Sequence, residues 1–317
     1  MAGRFVIGID TSAYTTSLAL VDSRGKILLD SRRMLPVPEG MRGLRQSEAR
    51  VMHISNLPEM ISDMKRNFDP AGADAVAFSD RPRPVEGSYM PVFTAGADAA
   101  KQLSGELDIP CFAFSHQEGH IAAVKEYSSF RGEREFLCYH LSGGTCELLL
   151  VRDSSISIIG GSKDISFGQL IDRIGVRLGM SFPAGRQMDE TAMAASSETK
   201  LLKDIPVDGL RFNLSGIETQ CLRSLDKAES ASAIVREVFV RIAECLSKVT
   251  EKACRDTGIG KVIFVGGVSS SRFVRRQLNL FSERSSGSIS IAFGDLSEDN
   301  AIGTAILGGE KIWQQSL

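Results

Sequence analysis

Residues 135–161 read EFLCYHLSGGTCELLLVRDSSISIIGG, and the pattern of this stretch decides the fold. An apolar run meets a Gly-Gly turn, a second apolar run follows, and a third strand starts after Asp153. The beginning of the chain is organised the same way. There "RFVIGID" is followed by the polar turn "TSAYTT", the strand "SLALVD" and a third strand, "KILLDSRRM". Two three-strand openings, each followed by helices and further strands, predict two similar α/β lobes.

In the first lobe a helix-spaced segment, "QSEARVMHISNLPEMISDMKRNF", precedes the strand "ADAVAFS". The stretch "DRPRPVEGSYMPVF" carries Pro82, Pro84 and Pro91 and is expected to be loop. A helix over "TAGADAAKQLSGEL" and the strand "PCFAFS" complete the lobe. In the second lobe a mainly helical stretch closed by Pro183 and Gly185 leads through the short "LRFNLSGIET" to a long helix over 230–258. The strand "KVIFVGG", a helix starting at "VSSSRFVRRQL", the strand "ISIAF" and a last helix from about Asp299 follow. The expected boundaries are 1–130 and 131–317, with a helical insertion around 165–235 and the last helix, near 299–315, packing back toward the first lobe. This arrangement resembles the actin-like ATPase superfold of sugar kinases and chaperone ATPases, which implies a metal and nucleotide cleft between the lobes and leaves the activity open.

Composition narrows the class. The chain is 43% apolar and 24% charged, the balance of a globular protein. A formal charge of -2 predicts no broad nucleic-acid surface, so an RNA would be met locally, at runs such as "RFVRRQL", or with help. The six cysteines contain no CxxC pair and read as small buried hydrophobes rather than a zinc ribbon or a thioredoxin-type site. No run has the length of a membrane span, and the apolar start is too short for a signal sequence, so no membrane association and a cytoplasmic location are expected.

Four histidines occur, and two of them, His116 and His120, lie in "SHQEGHIAAV". Ser115 and Glu118 form the S-x-x-E signature of a helix start, which puts the imidazoles i, i+4 on one face of the first turns. Such a pair suits a metal ion but supplies only two ligands; two capping or surface histidines are the other reading of the spacing. A third, His140, sits just before the Gly143-Gly144 turn, which Ser142 and Thr145 flank with hydroxyls. Those glycines either admit an anion to backbone amides or merely supply a turn needing positive φ. Gly266 and Gly267 lie between a buried strand and a serine-rich helix start, a place for a flat or charged ligand or a plain tight turn. In "SEDNAIGTAILGG", Asp299 and Asn300 open a helix of small residues, where an acid is ordinarily a cap.

Taken in order, six segments resemble the TsaD-type tRNA threonylcarbamoyltransferases over nearly the whole chain. The family's H-x-x-G-H is seen as His116, Gly119 and His120, its "VSGG" as "LSGG", and its "GEAFDK…LG…YPGG" as "GQLIDRIGVRLGMSFPAG". Its "FSFSGLKT", "AGGVAAN" and "TDNAAM" are seen as "FNLSGIET", "VGGVSSS" and "EDNAIG". The resemblance implies one divalent metal ion, iron or zinc, held by His116, His120 and Asp299, with His140 at the place where some members carry a tyrosine ligand. It implies an adenylate or ATP-type nucleotide as substrate. Ser142, Gly143 and Gly144 would meet its phosphate and carbamoyl groups, Asp172 its ribose hydroxyls, and Gly185 and Gly267 would line its adenine pocket, with Thr145, Gly266 and Ser271 also expected among the substrate- and nucleotide-binding residues. The implied activity is transfer of threonylcarbamoyl from threonylcarbamoyl-adenylate to N6 of the tRNA adenosine beside the anticodon. The implied partners are TsaB-like and TsaE-like proteins, or a second copy of the chain.

The sequence also departs from the family. The usual "ETSCDET" is "DTSAYTT" here, so Tyr14 and Thr15 replace two acids. "GPGL" gives way to "DRPRPVEGSYMP", the hairpin's "GGHT" becomes "GGTC", Ser271 stands for asparagine, and Glu218 reverses the charge of a lysine. A divergent paralogue that hydrolyses the adenylate or a nucleotide without modifying tRNA is the second expectation, and a non-catalytic nucleotide-binding partner protein the third.

Overall fold

The hairpin at the start of the chain has every residue of both strands buried: β1 (Phe5–Thr11) and β2 (Thr15–Asp22) run antiparallel, Ile7 opposite Leu20 and Ile9 opposite Leu18. Burial on both faces explains the continuous apolar runs, since each face of the sheet is covered by helices. The computed structural model describes residues 4–37, 44–153, 155–196, 200–227, 230–294, 296 and 300–313. β3 (Ile27–Met34) pairs antiparallel with β2, while β4 (Ala73–Arg81) and β5 (Cys111–Ser115) add in parallel on the other side, giving the order β3-β2-β1-β4-β5.

The helices of this unit are α1 (Gln46–Asn67), α2 (Val92–Leu107), α3 (His116–Glu126) and the chain's last helix, α9 (Ile302–Trp313). Val92 and Phe93, expected in the proline loop, are instead the buried first turn of α2, because Pro91 ends the loop and tolerates a helix start behind it. The last helix begins at Ile302 rather than near Asp299, and Asn300 Oδ1 accepts the Ile302 N–H at 3.0 Å. One compact unit comprises Met1–Tyr127 with Glu298–Leu317, and the other comprises Ser128–Ser297.

The second unit repeats the strand plan. β6 (Glu135–Leu141), β7 (Cys146–Arg152) and β8 (Ser155–Ser162) are successive antiparallel neighbours, and β11 (Lys261–Val265) and β12 (Ser290–Phe293) add in parallel beyond β6. Beyond β8 lie two short strands, β10 (Arg211–Phe212) and β9 (Val207–Asp208), too brief to carry a periodicity. Its helices are α4 (Phe167–Arg177), α5 (Gly185–Ala194), α6 (Ser215–Asp226), α7 (Ala231–Thr257) and α8 (Arg272–Arg284). Leu148, Phe167, Phe212, Phe239 and Phe264 lie in one buried cluster that joins this sheet to α4 and α7. The helix expected from "VSSSRF" begins with a 3-10 turn over Gly267–Ser270, and Ser271 then caps α8 by accepting the Val274 N–H.

Candidate functional site

β5 leads directly into α3, and both halves of the capping box form: Ser115 Oγ accepts the Glu118 N–H at 3.2 Å and Glu118 Oε2 accepts the Ser115 N–H at 2.6 Å. The cap fixes where the helix starts, so His116 and His120 share one face. Their Nε2 atoms are 3.0 Å apart, and the rings are nearly perpendicular at a centroid distance of 4.4 Å. His116 Nδ1 lies 2.9 Å from Oδ1 of Asp10, at the end of β1. Gly119, between the histidines, packs closely on α9: a Cβ there would stand 3.0 Å from Thr304 Oγ1, which would have to give way by a few tenths of an ångström.

Two imidazole nitrogens on one side and a carboxylate behind one of them form the kind of donor set that suits Zn²⁺ or Fe²⁺. His116 and His120 thus supply two of the ligands a divalent ion would take. Asp299 lies outside the described residues, and His140 belongs to the second unit. Among the described residues no group of three or more His, Cys, Asp or Glu side chains is arranged to hold a metal.

The first hairpin is anchored from α1. His53 is fully buried, with Nδ1 2.8 Å from Thr16 Oγ1 and Nε2 2.8 Å from the Ser12 carbonyl oxygen. Asn56 donates to the same Thr16 hydroxyl at 3.0 Å. A carbonyl can only accept, so Nε2 carries the proton and Nδ1 accepts from Thr16. Burial holds the His53 pKa below its ordinary value, against the pull of the Ser12 carbonyl and the Asp10 charge.

In the second unit the residues around the Gly-Gly turn converge. Ser142 N–H donates to the Thr145 carbonyl at 2.8 Å and Thr145 N–H to Ser142 Oγ at 3.0 Å, while Ser166 Oγ donates to the Gly143 carbonyl at 2.6 Å. Gly168 brings the start of α4 against this turn; its Cβ would lie 2.6 Å from Gly143 Cα. On the other flank Gly266 adopts φ +90° and backs onto Leu141, whose carbonyl oxygen a Cβ would meet at 2.4 Å. Gly143 and Gly144 have no positive φ, so the backbone conformation of this turn does not itself require glycine. A Cβ on Gly143, Gly144, Gly185 or Gly267 would meet nothing within 4 Å, so these four leave open space in front of the backbone. His140 is buried on β6, opposite Glu147 of β7.

Asp172 and Ser271 are engaged within the protein. Asp172 Oδ1 accepts the Ala184 N–H at 2.8 Å, and burial pushes its carboxyl above the ordinary range, partly opposed by that bond. Ser271 donates to Asp189 Oδ1 at 2.5 Å, and Asp189 also accepts the Arg272 and Phe273 N–H groups, capping α8 from α5. Asp10, His53 and Asp189 are not singled out by motif spacing. Asp10 nonetheless carries a signal, an acid closing an otherwise apolar strand, "FVIGIDT".

The family model described as TsaD, tRNA N6-adenosine threonylcarbamoyltransferase, matches residues 38–306. The chain belongs to the TsaD family. It is 25% identical over 302 residues to a tRNA N6-adenosine threonylcarbamoyltransferase of Archaeoglobus fulgidus, covering 95% of this chain and 90% of that one. It is 29% identical over 315 residues to the protein of the same name from Thermotoga neapolitana, covering 96% and 94%. Among solved structures, HypF from T. kodakarensis aligns with a TM-score of 0.66 at 13% identity over 99% of this chain; the chain spans 48% of the length of that protein. That likeness, with the doubled strand order, establishes the actin-like ATPase fold. Against the TsaD pattern, the reversed charge at Glu218 is met inside the chain: Arg173 on α4 donates to it at 3.0 Å across to α6. Tyr14 and Thr15 sit at the hairpin tip with backbone bonds to Leu35 and Ser12.

Proposed function

We propose that this TsaD-family chain transfers a threonylcarbamoyl group from its adenylate to N6 of the tRNA adenosine beside the anticodon, in the cytoplasm. The observation that carries the metal-dependent form of this reading is the array Asp10, His116, His120, with Nε2 atoms 3.0 Å apart. His116, His120 and Asp299, with His140, would hold one Fe²⁺ or Zn²⁺, which supplies Lewis-acid polarisation or holds a phosphate when bound. The Ser142 and Thr145 N–H groups close the turn on itself, so the Gly143 and Gly144 N–H groups, with the flanking hydroxyls, would meet the anionic part of the substrate. Gly185 and Gly267 leave backbone open to its flat base, Gly266 turns the chain beside them, Ser271 stands at the start of α8 with its hydroxyl bonded to Asp189, and Asp172, one oxygen of which accepts the Ala184 N–H, would meet the ribose. No side-chain nucleophile is required, because the attacking group is the amine of the RNA. Partners of the TsaB-like and TsaE-like kinds, or a second copy of the chain, belong to this reading.

A specific feature favours hydrolysis as the second reading: Ala13, Tyr14 and Thr15 leave the first hairpin tip without an acid. The metal-loaded protein is incubated with threonylcarbamoyl-adenylate, with and without tRNA, while AMP and modified adenosine are followed. Modified tRNA formed in step with AMP supports transfer. AMP released at the same rate without tRNA, and unmodified RNA, would defeat it in favour of the hydrolase.

A further inference from the structure

Asp10 is fully buried at the end of β1, and its two oxygens have different surroundings. Oδ1 is 2.9 Å from His116 Nδ1, a contact bridging 106 residues of sequence, while Oδ2 is buried and makes no hydrogen bond among the described residues. An ionised carboxylate only accepts, so the shared proton resides on His116 Nδ1. In neutral imidazole the lone pair is then on Nε2, the atom that faces His120 Nε2 at 3.0 Å. With that tautomer, His120 would donate to His116 and His116 to Asp10.

We propose that Asp10 is a positioning residue of the metal site, fixing the tautomer and ring orientation of His116 so that Nε2 is presented to the ion. The inference rests on the metal reading of His116 and His120 and adds a residue outside that ligand set. Burying a carboxylate with one oxygen unpaired carries a desolvation cost that an apolar residue in this strand would avoid. An asparagine at this position has nearly the same shape but presents an amide that can donate as well as accept, so it specifies neither tautomer and lends the imidazole no basicity.

With only four histidines in the chain, each imidazole can be assigned in ¹⁵N side-chain spectra by single replacement. Metal-free parent protein is expected to show His116 protonated on Nδ1, and Asp10→Asn a mixture of tautomers. Zn²⁺ affinity, read by competition with a chromogenic chelator, is expected to fall about 10- to 100-fold in Asp10→Asn, the range for loss of an outer-shell partner, with the far-UV circular dichroism unchanged. His116 protonated on Nε2 in the parent overturns the proposal, as does parental Zn²⁺ affinity in Asp10→Asn. His120→Ala separates the two readings: lost binding there, beside undiminished binding in Asp10→Asn, removes the Asp10 role and leaves the metal site standing. Should the parent bind no Zn²⁺, the metal reading falls, and the His116 tautomer still decides whether Asp10 orients the ring. The tautomer is measured on the parent protein, so the proposal stands or falls there even if a variant does not fold.

Discussion

His53 joins α1 to the tip of the first hairpin with both ring nitrogens, and it does so as a neutral ring held below its ordinary pKa by burial. Below the unfolded value, near 6.5, the unfolded chain takes up a proton that the folded chain resists. The contribution of His53 is therefore fully present above that pH and is lost as pH falls toward the lowered folded value. Urea midpoints between pH 8 and pH 5 are expected to decline in the parent and to decline less steeply in His53→Ala. At pH 8 the variant should lose about 2 to 4 kcal/mol, since the Thr16 hydroxyl and the Ser12 carbonyl lose buried partners and a cavity opens. Parallel slopes in parent and variant would show that His53 is not the titrating group. Sequence spacing could mark His116 and His120, four residues apart on one helix. It could not mark Asp10 or His53, whose partners lie 106 and 37 residues away and meet only once the sheet order is set.

At the scale of elements, the crossing of α3 and α9 depends on Gly303, which packs against the backbone of Gly119. A Cβ on Gly303 would stand 1.7 Å from the Gly119 carbonyl oxygen and 2.6 Å from its carbon, both backbone atoms that no rotamer change can move. Gly303→Ala must part the helices, at a cost of about 1 to 3 kcal/mol, the usual range for overpacking. A Cβ on Gly105, near the end of α2, would meet nothing within 4 Å, so Gly105→Ala should be neutral or stabilising by up to about 1 kcal/mol through helix propensity. Thermal melts of the two variants check the contrast, and equal effects would show that the crossing tolerates a methyl group. The H-x-x-G-H spacing was legible as a motif, and so was the helix start through Ser115 and Glu118. The close packing at the central glycine was not, because it is set by Thr304 on α9. The two-residue strands β9 and β10 were illegible for another reason: they are held by the pairing of β10 with β8 and with β9, not by any alternation of their own.

At the scale of the whole molecule, the doubled strand plan was readable because each copy opens on long apolar strands around a polar or glycine turn, and the order β3-β2-β1-β4-β5 recurs as β8-β7-β6-β11-β12. The proposed ligands divide unequally between the two units, with His116 and His120 in the first and His140 in the second. A bound ion stabilises whatever it ligates: at free metal about 100 times the dissociation constant the gain is about 2.7 kcal/mol, or about 5 to 10 °C for a unit of this size. If His140 is a ligand, that gain must reach β6 as well as α3. Hydrogen exchange with and without Zn²⁺ is expected to show added protection over residues 116–126 and 135–141 in the parent. In His140→Ala the added protection should persist over 116–126 and vanish over 135–141. Protection confined to 116–126 in the parent would remove His140 from the ligand set and leave an ion held by the first unit alone, because a group that binds the metal cannot open without releasing it.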